Sequence, residues 1–198
     1  MRPLKSSTYT LNSKRASSYM GSRMMQRELL ILRHAKSDWG IETDDFNRPL
    51  KKKGKKAALR MGLWLKQEDL VPDCIITSPA VRALKTAQLV CEAMAFDRRS
   101  VIKDPRVYDA DVASLLLVLA EHSKTYRRVL LVGHNPDLEA LLSYLADKVD
   151  VPPDGKLFAT ATLARLMMPD DWTHLTRSSA KLLLLIRAAD LRSEEDPD

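Results

Sequence analysis

Two short apolar runs, each broken off at a histidine, constrain this chain more than any other feature. Leu29, Leu30, Ile31 and Leu32 stop at Arg33-His34, and the polar, loop-forming Lys36, Ser37, Asp38 and Gly40 follow. About a hundred residues on, Val129, Leu130, Leu131 and Val132 run into Gly133-His134-Asn135-Pro136. An apolar run of this length, bounded by turn signals, reads as a strand buried on both faces. Open α/β sheets bind their ligands in the crevice beyond the carboxyl ends of such strands. Both histidines are therefore expected at one sheet edge.

The segments between supply the rest of an α/β pattern. Pro49-Leu50 opens a helix reaching about residue 68, with Leu50, Ala57, Ala58, Met61 and Leu65 as its apolar stripe. Cys74, Ile75, Ile76 and Thr77 form a short buried strand. Ser78 then caps a helix to about residue 95, with Pro79 at its first position. Val101-Ile102 suggests an edge strand, and a leucine-rich helix over 112–122 ends at His122, which compensates the helix dipole. A helix from Pro136 to about residue 146 and two final strands, near 159–168 and 182–188, complete the order. This alternation predicts one α/β domain with a mainly parallel sheet. The lysines at 51, 52, 53, 55 and 56 read as a solvated helix face; bordering an active site, they would steer an acidic partner.

Charge narrows the function. The chain carries 32 basic and 26 acidic residues, net +6. Six of the basic residues (Arg2, Lys5, Lys14, Arg15, Arg23, Arg27) fall in the first 27 positions, which hold no acid, so the remaining 26 match the 26 acidic residues. The neutral balance of the rest argues against a nucleic-acid binder. Residues 1–27 read as a disordered basic extension, with an organelle transit peptide or an over-long start as alternatives. Residues 28–190 form the expected domain and 191–198 an acidic tail. Cytoplasmic location is expected, with a mitochondrion or plastid as the alternative if the extension is a transit peptide. No run reaches the ~20 apolar residues a membrane helix needs. Cys74 and Cys91 read as buried free thiols of a reducing compartment, and no His/Cys/Asp cluster has the spacing of a zinc site.

Arg33, His34, Arg82 and His134 each follow a predicted strand end or sit in the first turn of the next helix. Helix N-termini suit anions. Two arginines there offer planar forks that match phosphate oxygens. A neutral imidazole is a competent nucleophile, and a second histidine could hydrogen-bond a transferring phosphoryl group.

These residues resemble the Arg-His-Gly/Ala signature of the histidine phosphatase superfamily, and more closely its small SixA-type phosphohistidine phosphatase branch. The resemblance runs through RHAKSDW, then Phe46-Asn47-Arg48-Pro49-Leu50 with Gly54, Thr77-Ser78-Pro79-Ala80-Val81-Arg82-Ala83, Val107-Tyr108-Asp109-Ala110 and Leu130 to Pro136. It covers about residues 28 to 168. It implies a phosphoglycerate mutase-like three-layer sandwich without a large cap domain. It also implies metal-free, cofactor-free chemistry: His34 as the transiently phosphorylated nucleophile, Arg33 and Arg82 as the phosphate clamp, and His134 as the second pocket histidine. Asn135, Arg48, Lys36 and Ser37 are the implied substrate-binding residues.

The general acid of mutase-like relatives has no clear counterpart, and Asp109 is the best candidate. A weak acid favours a substrate whose leaving group departs readily, and the imidazole of phosphohistidine is one. Little chain remains for a lid, which suits a phosphorylated protein such as a phosphotransfer domain. The alternatives are a phosphatase of small esters such as sugar phosphates and, as a non-enzyme, a phosphate-binding module.

Overall fold

The computed structural model describes residues 26–123 and 125–191. The basic extension up to residue 25 and the acidic tail from 192 lie outside the described residues. The elements are β1 (Arg27–Arg33), α1 (Lys52–Gln67), β2 (Cys74–Thr77), α2 (Val81–Met94), β3 (Val101–Lys103), α3 (Val112–Ser123), β4 (Arg128–Gly133), α4 (Asp137–Leu145), β5 (Thr162–Met168) and β6 (Lys181–Arg187). The first strand thus begins at Arg27, inside the stretch that composition assigns to the extension.

The strands form one sheet in the order β3-β2-β4-β1-β5-β6. The first four are parallel, and β5 and β6 close one side antiparallel. Because strand side chains alternate between faces, β1 feeds both halves of the core. Leu29 and Ile31 pack with Leu115, Leu119, Leu138 and Leu142 of α3 and α4, while Leu30 and Leu32 pack with Met61, Leu65, Ala87 and Val90 of α1 and α2. β4 divides the same way, Val129 and Leu131 to one face and Leu130 and Val132 to the other. The result is a three-layer α/β sandwich, with no large cap domain among the described residues.

Two helix starts differ from the expectation, and both differences shape the site. Helix α1 begins at Lys52 rather than Leu50, because Leu50 bridges Ser37 and the Lys51 amide donates to the Lys36 carbonyl at 2.9 Å. That tertiary pairing holds residues 50 and 51 extended. Gly54 permits the approach, since a Cβ there would lie 2.2 Å from the Lys36 carbonyl oxygen. Helix α2 begins at Val81, and Ser78 is not its cap. Pro79 and Ala80 stay outside the helix, and the Ser78 hydroxyl accepts from the Ala80 amide at 3.2 Å while also meeting His134 Nε2 at 2.8 Å.

Cys74 and Cys91 are buried free thiols, as expected. Burial pushes both up to about 11, which keeps them protonated and unreactive. Among the described residues, no helix is long and apolar enough to cross a membrane. At the amino-terminal edge of the sheet, buried Glu28 joins Arg128 at 2.6 Å and Arg165, an ion cluster at the opposite end from the histidines.

Candidate active site

Strand register builds the pocket. Arg33 pairs with Gly133 across β1 and β4, and Thr77 pairs with Val132 across β2 and β4. The next residues, His34, Ser78 and His134, therefore emerge together at the carboxyl edge. The His34 amide donates to the Gly133 carbonyl at 3.0 Å, and the Ser78 amide to Val132 at 3.0 Å. The two imidazole centroids are 5.1 Å apart. Helix α2 brings Arg82 against them from its first turn.

Hydrogen bonding fixes the tautomer of His34. Nδ1 faces the Ala35 carbonyl at 2.8 Å. A carbonyl only accepts, so Nδ1 carries the proton. Nε2 then presents a lone pair, which accepts from Arg82 Nε at 3.2 Å. Burial pushes the His34 imidazole down to about 3, partly offset by the Ala35 bond and reinforced by His134, Arg82 and Arg33. The ring is thus neutral and nucleophilic at physiological pH. His134 is lowered to about 4, first by burial and then by Arg82, and its Nε2 lies 2.8 Å from Ser78 Oγ.

Three arginines surround the histidines. Arg33 Nη1 donates to the Phe158 carbonyl at 2.7 Å, which also accepts from Asn135 Nδ2 at 3.1 Å. Arg82 reaches Asp45 with Nη1 on its carbonyl (2.5 Å) and Nη2 on Oδ2 (2.7 Å). Arg48 donates to Ser37 Oγ at 2.6 Å and to Asp45 Oδ1 at 2.6 Å, and its guanidinium stacks 3.5 Å from the Trp39 ring centroid. Thr86 braces the loop, accepting from the Ala35 amide at 3.1 Å.

Of the expected residues, Arg33, His34, Arg82, His134, Asn135, Arg48 and Ser37 converge here. Lys36 and Asp109 stand apart. Lys36 is exposed and lines a neighbouring groove. Asp109 is exposed, with φ 53°, and no hydrogen bond or ion pair joins it to the four central residues. The carboxylate in contact with the pocket is instead Asp45, which sequence reasoning missed along with Tyr108 and the role of Ser78. Tyr108 donates to Asp45 Oδ2 at 3.2 Å and meets His134 edge-on at 5.4 Å. One signal was available: Asp45 lies three residues before Arg48, and the two pair at 2.6 Å.

The polar atoms left without partners reveal what the pocket lacks. Arg33 Nε, Arg48 Nε, His134 Nδ1 and Asn135 Oδ1 are buried without a hydrogen bond, and elsewhere among the described residues only Thr162 Oγ1 and Ser179 Oγ are in that state. Buried orphans are costly and rare, so their concentration around a cationic cleft marks a place prepared for a polar ligand. The cations select an anion. Asp45 takes donors of Arg48 and Arg82 at this cleft. The one group of close potential metal ligands among the described residues, Asp104, Glu121 and His122, lies elsewhere and is already bridged by Arg106.

The model of the histidine phosphatase superfamily (branch 1) matches residues 29–115, and these carry Arg33, His34 and Arg82. This match supports the histidine phosphatase superfamily as the family of this chain. Among solved structures, the protein histidine phosphatase SixA complexed with tungstate superposes with a TM-score of 0.71 at 20% identity, over 83% of this chain and 99% of that one. A protein from Agrobacterium tumefaciens assigned as a SixA phosphohistidine phosphatase gives 0.66 at 27% identity, over 81% and 98%. These neighbours give the fold, and the second supports the SixA-type branch as the nearer likeness. The 2,3-bisphosphoglycerate-dependent phosphoglycerate mutase of Bartonella bacilliformis is 35% identical over 94 residues, 46% of each chain. The chain spans less than half the length of the curated mutases it matches.

The two depressed histidines make stability depend on pH. Their unfolded value is 6.5 and their folded values are about 3 and about 4. Between these limits the unfolded chain binds more protons, so their contribution is complete above about pH 6.5 and is lost as pH falls. Between pH 7.5 and 5 the urea midpoint should drop, with a slope approaching about 1.4 kcal/mol per pH unit for each histidine. A variant with both replaced by Asn should lose that slope; an equal slope in both proteins would contradict the burial of neutral rings.

Proposed function

We propose that the protein is a phosphatase that removes phosphate from phosphohistidine on a protein, with His34 Nε2 as the nucleophile and residues 28–190 as the catalytic domain. Arg33, Arg82 and Arg48 hold the phosphoryl oxygens, displacing Asp45. His134 and Asn135 add polar contacts, and Ser37 orients Arg48. Nε2 attacks phosphorus in line; the P–Nε2 bond forms as the bond to the substrate's imidazole nitrogen breaks. That imidazole leaves neutral once its distal ring nitrogen carries a proton. Water then attacks phosphorus, releasing inorganic phosphate and restoring neutral His34.

The observation that carries the choice of substrate is the state of Asp45. Burial opposes its ionisation, but the hydrogen bond from Arg48 and the charge of Arg82 outweigh it and hold the carboxyl below its ordinary range. Before substrate enters, Asp45 is thus an ionised partner of the arginines rather than the protonated acid that an alkoxide leaving group requires. The rim supports a macromolecular partner. Trp39, Ile41 and Phe46 are 73%, 49% and 38% exposed on the loop that carries Asp45, and exposed apolar surface of this kind commonly meets a protein.

The mutase match favours a second reading, a phosphatase of small phosphate esters. Steady-state kcat/KM for a phosphohistidine-bearing phosphotransfer domain and for p-nitrophenyl phosphate separates the two. The protein substrate should be preferred by at least about tenfold; a preference for the ester would move the substrate to small molecules.

A further inference from the structure

We propose that the basic groove beside the phosphate pocket docks an acidic segment of the protein substrate; this deepens the reading above and rests on it. The groove has a volume of about 490 Å³ and is lined by Lys36, Lys53, Lys56 and Arg60, with Ala161 and Ala188 among its apolar wall residues. Among the described residues, no acidic one lines it. Lys36, Lys53 and Lys56 have no carboxylate partner among the described residues, whereas Lys51 is paired with Asp38 at 3.3 Å. Arg60 is tethered to the opposite wall, Nη1 to the Ala188 carbonyl at 3.4 Å.

The location of these cations is unfavourable for folding. Lys52, Lys53, Lys55 and Lys56 occupy the first two turns of α1, and no acid is present in the first turn. A helix N-terminus carries partial positive charge, so lysines there cost stability where Asp or Glu would add to it. A merely solubilising face has no need to be there, or to converge on a concavity.

Both walls hang on the backbone that carries the nucleophile. Lys36 is two residues beyond His34 and receives the Lys51 amide, with Gly54 packed against its carbonyl. On the other wall, the Ala161 amide donates to the Arg33 and His34 carbonyls, both at 3.2 Å. An acidic stretch in the groove would therefore register a phosphorylated side chain of the same partner over His34. Charge at such a rim raises the association rate and its salt dependence more than the rate of chemistry.

The test uses the full chain and the charge-reversed double variant Lys53→Glu/Lys56→Glu, with Lys53→Gln/Lys56→Gln as a milder companion should the first fold poorly. Fluorescence anisotropy reads binding of a short Glu/Asp-rich peptide, its Gln/Asn counterpart and a single-stranded oligonucleotide, at low and at physiological salt. The acidic peptide should bind in preference to the neutral one, weaken with salt, and weaken by at least about tenfold in the double variant. In turnover assays the double variant should raise KM for an acidic phosphohistidine protein by a similar factor, leaving kcat and p-nitrophenyl phosphate hydrolysis unchanged. Equal binding of acidic and neutral peptides, unaltered binding by the variant, or tighter binding of the oligonucleotide would overturn the assignment. A wild type that binds the peptide but hydrolyses only the ester would refute the phosphohistidine reading while leaving the groove as an acidic-segment site.

Discussion

His34→Ala is expected to abolish turnover of every phosphorylated substrate while the fold survives. The side chain is buried at the carboxyl edge of β1, and its hydrogen bonds go to the Ala35 carbonyl and Arg82 rather than to distant elements. Truncation therefore leaves a small polar cavity beside a solvent-accessible cleft instead of a hole in either half of the core. The chemistry has no substitute: His134 Nε2 is engaged with Ser78 Oγ, and its ring lies 5.1 Å from that of His34. Loss of a nucleophile typically costs many orders of magnitude, with binding and electrostatics sustaining only a residue of activity. Residual kcat/KM above about a tenth of wild type, with an unchanged circular dichroism melt, would refute the nucleophile role.

Arg82→Ala should be nearly as damaging, for a different reason. Arg82 is buried, holds the lone pair of His34 Nε2 through Nε, and aims both Nη atoms at the space that Asp45 now fills. A buried, hydrogen-bonded charge opposite an anion is worth about 3 to 4 kcal/mol, so kcat/KM should fall by about two to three orders of magnitude. Arg82→Lys keeps the charge but not the planar fork, and should recover only part of the loss. Inhibition by inorganic phosphate should weaken in parallel. Because Arg82 also depresses both histidines, the acid limb of the pH profile should move upward in Arg82→Ala. Unchanged efficiency and unchanged phosphate inhibition would remove Arg82 from the pocket.

The strands and the placement of the central four residues were legible because both are written locally. A run such as Cys74 to Thr77 is a strand by its own composition, and Arg33, His34 and His134 stand at strand ends with Arg82 in the first turn of the next helix, where a parallel sheet gathers its ligands. What lay beyond sequence is set by contacts between distant segments. The start of α1 depends on Leu50 bridging Ser37, which no propensity encodes. Ser78 looked like a cap, yet its hydroxyl meets His134, 56 residues away. Asp45 sits in a polar loop indistinguishable by composition from its neighbour Asp44, and only the fold decides which one faces Arg82. Asp109 was sought as the acid from its place in a motif, whereas the carboxylate against the arginines is Asp45.

The claim on which the rest depends is a phosphoryl group carried by His34. Rapid quenching of a single turnover with radiolabelled phosphohistidine protein, followed by peptide mapping at alkaline pH, tests it directly. Label should appear on the peptide containing His34, attached through Nε2, and decay at the rate at which inorganic phosphate is released, with none in His34→Ala. Release of phosphate with no label on the protein, or label on His134, would contradict it.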